Sequence, residues 1–470
     1  MVSDSDGDPG PTDSQVIAHS WAETDRFIPR RVVRPLQRLM SFEISTAVLI
    51  LVAVVVAMVL ANSGLAEAYE DFWETQVELR LGEWELLHLS LREVVNDGLM
   101  TIFFFVVTLE IKRELIFGEL RDRRTAALPI VAAVGGMVVP GLIYAIFNAG
   151  TEASSGWGIP MATDIAFAVA VVLAAGPRVP ASARLFLLTL AIVDDLGAIT
   201  VIAVFYTADL SLAWLAGAAG LLVLVWVLRQ VRVRSILVYV VVGVICWFMM
   251  HESGVHSTIA GVALAFLTPA WSLLPPQKYP EVAYRLVDEV SERTGDGVLT
   301  HDEHQLNHGT LREVGRLSTE TQAPLDRLEY RLVPWSNFLV IPLFAFANGG
   351  LTLPDVPVGD WLGDPVVLGV GLGLLLGKTI GVFGAAWLAV RTGWARMPDS
   401  MNNLHLLGVA MASGVGFTVA LLVANLAFTS PALNEMAKLG IMLGSVLAAV
   451  LGYLTLRFST REPTSESASQ

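Results

Sequence analysis

An all-α integral membrane protein with twelve transmembrane helices is the fold this sequence predicts. Three observations predict it: apolar runs of spanning length, positive charge confined to alternate links, and a few charged residues set inside apolar runs. Of the 470 residues, 16% are charged and 54% hydrophobic, whereas a soluble domain carries roughly 25% charged residues. A helix needs about 20 apolar residues to cross, because each adds 1.5 Å toward roughly 30 Å of hydrocarbon.

The helices are expected, in order, at 43–63, 91–115, 126–148, 157–175, 182–207 and 211–230. The second six are expected at 235–251, 256–272, 334–350, 365–390, 402–428 and 434–457. Charge placement checks that count. Arg26, Arg30, Arg31, Arg34 and Arg38 precede helix 1, and Lys112, Arg113, Arg121, Arg123 and Arg124 lie between helices 2 and 3. Arg178 and Arg184 flank the 4–5 link, Arg229, Arg232 and Arg234 the 6–7 link, and Arg391 and Arg396 the 10–11 link. The other links hold little Lys or Arg beyond Arg80, Arg92 and Lys438. Basic links lie on the cytoplasmic side, so both termini are expected there.

Residues 1–40 read as a cytoplasmic tail, largely disordered because its first 25 residues are rich in Ser, Asp, Gly and Pro. No cleavable signal is evident, since the first long apolar run is itself long enough to span. The transmembrane domain covers 41–458, with a long cytoplasmic loop at 272–333 that is amphipathic in parts and helical near 310–333, and 459–470 form a second cytoplasmic tail. Between helices 1 and 2, Val77, Leu79 and Leu81 alternate with polar residues before Gly82-Glu83 and Trp84-Glu85-Leu86. That pattern reads as a β-hairpin on the outer surface, whose free edge can pair with a second subunit.

The net charge of −14 comes from acids in the first 25 residues, in 64–93 and in 272–333. It leaves no basic footprint for nucleic acid. The lone Cys246 has no intrachain disulfide partner and reads as a small core residue.

Charged residues at bilayer depth cost about 2.5–3.5 kcal/mol each on insertion scales, so they mark function. Helix 4 carries Thr163 and Asp164, helix 5 carries Asp194 and Asp195, and helix 10 carries Lys378. These groups must face one another or water. A static salt-bridge network fits poorly, because three carboxylates with one lysine leave excess negative charge that invites a cation or protons. Na⁺ prefers oxygen ligands, which carboxylates, a threonine hydroxyl and backbone carbonyls supply. Adjacent helical residues point about 100° apart, so one of Asp194 and Asp195 lines the site while the other reaches toward Lys378; spacing leaves open which. Oxygens that hold either protons or a metal ion, but not both, suffice for exchange of Na⁺ (or Li⁺) for protons. No cofactor and no enzymatic reaction is expected.

Helix continuity adds a second pointer. Gly158 and Pro160 interrupt helix 4, and helix 11 contains Ser413-Gly414-Val415-Gly416-Phe417-Thr418. Helices seven apart cross in opposite directions, and paired broken helices in inverted units mark a midplane ion site. Opposed half-helices gather two positive and two negative ends, which Asp164 and Lys378 respectively can offset. The plainer reading of Gly414 and Gly416 is close helix packing.

Several segments together resemble the NhaA family of bacterial sodium/proton antiporters. They are Phe103 to Leu115 (FFFVVTLEIKREL), Ala162 to Phe167 (ATDIAF), Ala191 to Ala198 (AIVDDLGA), Ser253 to Gly261 (SGVHSTIAG), Pro342 to Gly349 (PLFAFANG) and Gly414 to Thr418 (GVGFT). The resemblance runs from about 41 to 458, most of 275–325 excepted. It implies inverted repeats of helices 3–5 and 10–12, broken helices 4 and 11 crossing at midplane, and electrogenic exchange in the bacterial cytoplasmic membrane serving pH and sodium homeostasis. It further implies Asp195 at the ion, Lys378 paired with Asp194, Asp164 aiding binding and compensating helix dipoles, and a homodimer through the hairpin. It implies a pH-sensing cluster of Glu110, Glu114, His256 and Glu329. The sequence departs from the family at Tyr330 and Val333, where histidines are usual, at Thr379 and Thr108, and in its longer loop and N-terminal tail.

By sequence alone Glu110, Lys112, Arg113 and Glu114 read as a solvated helix end, which the resemblance turns into a mouth of an ion funnel. His256 begins helix 8 near the outer surface, structural or titrating, and Asp97 receives no role. His301, His304 and His308, with Asp302 and Glu303, are irregularly spaced for a metal site. Two rival functions remain. An intramembrane aspartyl protease also shares a proton between two aspartates, but the Gly-x-Gly-Asp signature is missing and Lys378 has no use there. A sodium-coupled symporter of an organic solute could use the same architecture.

Overall fold

The computed structural model describes residues 43–459, apart from 82, 83, 178, 208, 209, 232, 234, 273, 276, 278, 295–300 and 353–357. The N-terminal tail expected over 1–40, the chain past Ser459 and the turn expected at Gly82-Glu83 lie outside the described residues.

Among the described residues, seven helices are long and apolar enough to cross a membrane, and up to ten if each bent pair is one span. The seven are Leu91–Phe117, Arg124–Asn148, Ala181–Phe205, Leu212–Gln230, Pro324–Asn348, Pro365–Arg391 and Pro431–Phe458. The bent pairs are Thr46–Ala61 with Ala66–Glu74 at 114°, Glu152–Met161 with Ile165–Ala174 at 45°, and Asn403–Ala412 with Phe417–Ala427 at 46°. Ile236–Glu252 and Thr258–Leu267 are apolar but shorter. Val59, Leu142, Ile146, Val204, Leu237 and Val446 are large, apolar and exposed. Such faces are a liability in water and at home against lipid.

Inside, small residues let backbones meet. Gly135, on the Arg123–Asn148 helix, and Gly381, on the Lys378–Arg391 helix, lie face to face; a Cβ at Gly135 would sit 2.6 Å from the Ala385 methyl. Two apolar clusters flank the helix breaks. Ala162, Ile192, Leu374 and Phe417 belong to one, and Leu190, Val382, Val409 and Ala412 to the other.

Two strands, β1 (Gln76–Leu81) and β2 (Trp84–Ser90), pair antiparallel with Val77 opposite Leu89 and Leu79 opposite Leu87. The register shifts between Leu79 and Arg80, as at a β-bulge. Ser90 and Glu93 then close a capping box that starts the next helix.

The structure moves several expected boundaries. The interruption of helix 4 falls not at Gly158 and Pro160 but just beyond them: Glu152–Met161 is a 3-10 helix that contains both, and the extended residues are 162–164. Pro160 removes an N–H within the first half, whereas the chain opens where Asp164 caps the second half. Helix 9 begins at Pro324 instead of near 334, so the expected 272–333 loop is shorter. Proline at the first position suits a helix start, and Leu325 and Glu329 bury one face of the added turns. The rest of that loop holds the helices Tyr279–Thr294 and His301–Thr321. His256 precedes its helix, which starts at Thr258.

Candidate ion-binding site

Asp164 stands where the two broken helices meet. It is the N-cap of Ile165–Ala174, its Oδ1 accepting the Phe167 N–H at 3.3 Å. Its Oδ2 accepts the Thr418 N–H at 3.1 Å and the Thr418 hydroxyl at 2.6 Å, at the start of the opposing half-helix. One carboxylate thus caps two helix N-termini, where unpaired N–H groups and the helix dipole both favour negative charge. The Asp164 N–H in turn donates to the Val415 carbonyl at 2.6 Å, and the Gly416 N–H donates to Ser445 Oγ at 3.3 Å.

The glycines of this segment serve close approach. A Cβ on Gly416 would lie 2.6 Å from the Ala162 carbonyl oxygen, and one on Gly414 would lie 2.5 Å from that of Leu374. Only a residue without a side chain lets three backbones share this space.

Asp194 and Asp195 project from one unbroken helix, Ala181–Phe205. Lys378 follows a π-helical turn, Gly373–Gly377, on the facing helix; such turns shift side-chain register and recur at functional sites. Its Nζ forms an ion pair with Asp194 Oδ2. The Thr163 hydroxyl lies 2.5 Å from that same oxygen and 2.9 Å from the Ser413 carbonyl. Thr163, Asp164, Asp194, Asp195 and Lys378 are each at most 3% exposed. Asp194 Oδ1 and Asp195 Oδ2 are buried with no protein hydrogen-bond partner. The charges acting on Asp195 are those of Asp194, Glu110 and Asp164, opposed by Lys378. The arrangement is therefore a buried anionic cluster with two carboxyl oxygens that lack a protein donor and the Thr163 hydroxyl beside them. Oxygen donors of this kind suit a small hard cation, and each carboxylate can take a proton instead.

The sequence matches the family described as Na+/H+ antiporter 1 over residues 37–456. The chain belongs to that family. It is similar to the Na(+)/H(+) antiporter NhaA of Helicobacter pylori, 42% identical over 404 residues covering 86% of this chain and 90% of that protein. The proteins of the same name from Syntrophobacter fumaroxidans and Oleidesulfovibrio alaskensis are 41% identical over 430 residues and 43% over 438. Those two alignments cover 91% and 93% of this chain, and 91% and 97% of the respective relatives.

Within this antiporter-family chain, the four residues expected to sense pH do not form one cluster. Glu329, itself buried, pairs with Arg113 at 2.6 Å, and Glu110 is close enough to act electrostatically on Glu329, Arg113 and Asp195. Glu114 also acts electrostatically on Glu110 and accepts the Glu119 N–H at 2.6 Å. His256 stands apart beside Asp97, with Nε2 at 3.5 Å from Oδ1 and Nδ1 at 2.7 Å from the Thr258 hydroxyl. Asp97 precedes Glu110 by thirteen residues, roughly 20 Å of helix. Tyr330 is exposed.

Sequence reasoning passed over several partners. Thr418 stood within the GVGFT motif but was given no role; a threonine in the first turn of a half-helix was the available signal. The Ser413 carbonyl and Ser445 hydroxyl carried no such signal. Asp97 lies between two histidines, with His251 Nδ1 at 3.5 Å on its other oxygen.

Proposed function

We propose that this chain is a secondary transporter exchanging Na⁺ or Li⁺ for protons across the bacterial cytoplasmic membrane by alternating access, electrogenically, in the service of pH and sodium homeostasis. The observation that carries the reading is the pair of orphaned oxygens, Asp194 Oδ1 and Asp195 Oδ2, buried beside the Asp194–Lys378 ion pair. An ionised carboxyl oxygen buried without a donor is costly. A proton or a metal ion relieves that cost, and each excludes the other from the same oxygen.

In this scheme Asp195 is the principal ligand, with Asp194 Oδ1 and the Thr163 hydroxyl beside it. Asp164 already receives three donors, so its role is to offset the two helix N-termini rather than to offer an open oxygen. Lys378 holds Asp194 and limits the excess negative charge to what a monovalent cation can balance. Arriving Na⁺ displaces protons from the carboxylates, and returning protons displace Na⁺. Release on one side and uptake on the other give exchange.

Counting each bent pair as one span and adding the two shorter apolar helices brings the total to twelve. The two breaks then fall in predicted helices 4 and 11, consistent with inverted repeats over 3–5 and 10–12. Basic links on one side favour cytoplasmic termini. The outer edges of β1 and β2 offer unpaired backbone groups suited to a homodimer. Glu110 and Glu329, with Arg113 between them and Glu114 acting on Glu110, are suited to tune access to Asp195, while His256 would respond to pH at a separate point.

The test is purified protein in liposomes with an interior pH dye and no organic solute. Addition of Na⁺ or Li⁺ should move protons out of phase with the cation. Proton movement that requires an organic solute would replace exchange with symport.

A further inference from the structure

Four asparagines from four different helices form one hydrogen-bonded chain. The Asn348 amide donates to Asn96 Oδ1 at 2.7 Å, the Asn425 amide to Asn348 Oδ1 at 2.8 Å, and the Asn434 amide to Asn425 Oδ1 at 2.9 Å. Both amide hydrogens of Asn348 are used, the second going to the Phe344 carbonyl at 3.0 Å, and the residue is 3% exposed. Asn96 sits on a π-helical turn, Val94–Leu99. The surrounding tier is tied to the same segment. The Tyr69 hydroxyl donates to the Phe346 carbonyl at 2.5 Å, Asn62 to that of Leu351 at 2.6 Å, and Lys438 to that of Gly350 at 3.3 Å.

The placement of this chain matters more than its strength. Asn425 is seven residues beyond Thr418, roughly 10 Å along the half-helix from the crossing. Asn96 is seventeen residues before Arg113, so the chain lies at the opposite end of that helix from the Arg113–Glu329 pair. Asn96 and Asn348 come from predicted helices 2 and 9, outside the inverted units, whereas Asn425 and Asn434 come from helices 11 and 12, inside one of them. Within the chain, the Asn348–Asn425 hydrogen bond is the link between the two groups.

We propose that this asparagine chain is the latch of the outer gate, and that the Asn348–Asn425 bond must open for the site to face outward. The proposal rests on the alternating-access reading, in which one unit rocks against the rest. Amides suit the task because they are neutral across the working pH range. A carboxylate at the same place would compete with Asp195 for the departing cation. Hydrogen bonds between helices in lipid are individually weak, so such a latch closes the gate and still lets it open in each cycle.

The experiment starts from Cys246→Ser, which removes the lone cysteine, and places a reporter by Val423→Cys on the buried stretch between Thr418 and Asn425. A membrane-impermeant maleimide applied from outside then reads opening. Asn425→Ala should speed labelling about threefold, the weight of one interhelical hydrogen bond in a bilayer, and equally at acid and alkaline pH. An unchanged labelling rate overturns the latch. In a second measurement, Asn348→Cys and Asn425→Cys are bridged by a short cleavable bis-thiosulfonate. Bridging should stop exchange and cleavage should restore it; bridged protein exchanging at the unbridged rate also overturns the proposal. Failure of the exchange reading shows elsewhere, as no Na⁺-driven proton movement in the unaltered protein, because labelling reports opening without transport.

Discussion

Asp164 and Asp195 are both buried carboxylates in helices that meet deep in the protein, and their surroundings are opposite. Asp164 accepts three hydrogen bonds, while Asp195 leaves one oxygen with no protein donor. The difference follows from the backbone. The breaks at 162–164 and 413–416 free N–H groups that would otherwise bond within a helix, and Asp164 collects them. Asp195 belongs to Ala181–Phe205, which runs unbroken, so its neighbours' N–H groups are committed to the helix. A broken helix satisfies its own aspartate; the intact one leaves Asp195 with an unpartnered oxygen.

That contrast can be broken at several points. The largest effect is expected for Asp195→Asn, which should abolish Na⁺-driven proton movement in liposomes while helical content and thermal unfolding stay near the parent. Retained exchange would remove Asp195 from the site. Lys378→Ala should come next, because it strands Asp194 without its cation. Removing one partner of a buried ion pair costs about 3–5 kcal/mol, visible as a lowered unfolding midpoint. Adding Asp194→Asn should recover much of that loss, and failure to recover it would mean the two charges do not act as a pair.

Gly416→Ala tests the crossing itself. Its methyl would meet the Ala162 carbonyl at 2.6 Å, and overpacking of this kind costs about 1–3 kcal/mol; a neutral substitution would show that the backbones have room. The smallest effect is graded with pH. Because protons and Na⁺ claim the same oxygens, apparent Na⁺ affinity should fall as pH drops, by up to about tenfold per pH unit for each competing proton. Calorimetric Na⁺ titration at several pH values measures it, and a flat affinity would separate the proton site from the cation site.

Much of this was readable from the chain. The apolar runs marked the spans, and Asp164, Asp194, Asp195 and Lys378 stood out because lipid makes charge costly. The Gly414–Gly416 segment marked a break in helix 11. In helix 4 the same reasoning stopped at Gly158 and Pro160, since local propensity identifies helix breakers but not the donor, 254 residues away, that lets Asp164 end one half and begin the next. Glu329 read as part of a loop because the turns it sits on are amphipathic, and its burial depends on Arg113. His256 and Glu110 share a family motif set but not a location, a separation that spacing along the chain does not encode.

Composition and pattern by themselves determined the solvent of this protein and the residues that would be costly in it: the spans, the membrane-depth charges and their net negative sign. The tertiary structure decided which of those charges are satisfied. Asp194 meets Lys378 across 184 positions, Thr163 meets Ser413 across 250, and the asparagines join four helices. Hydrogen-bond saturation is a property of such distant encounters, so the carboxyl oxygens left without a donor emerge only once the chain has folded.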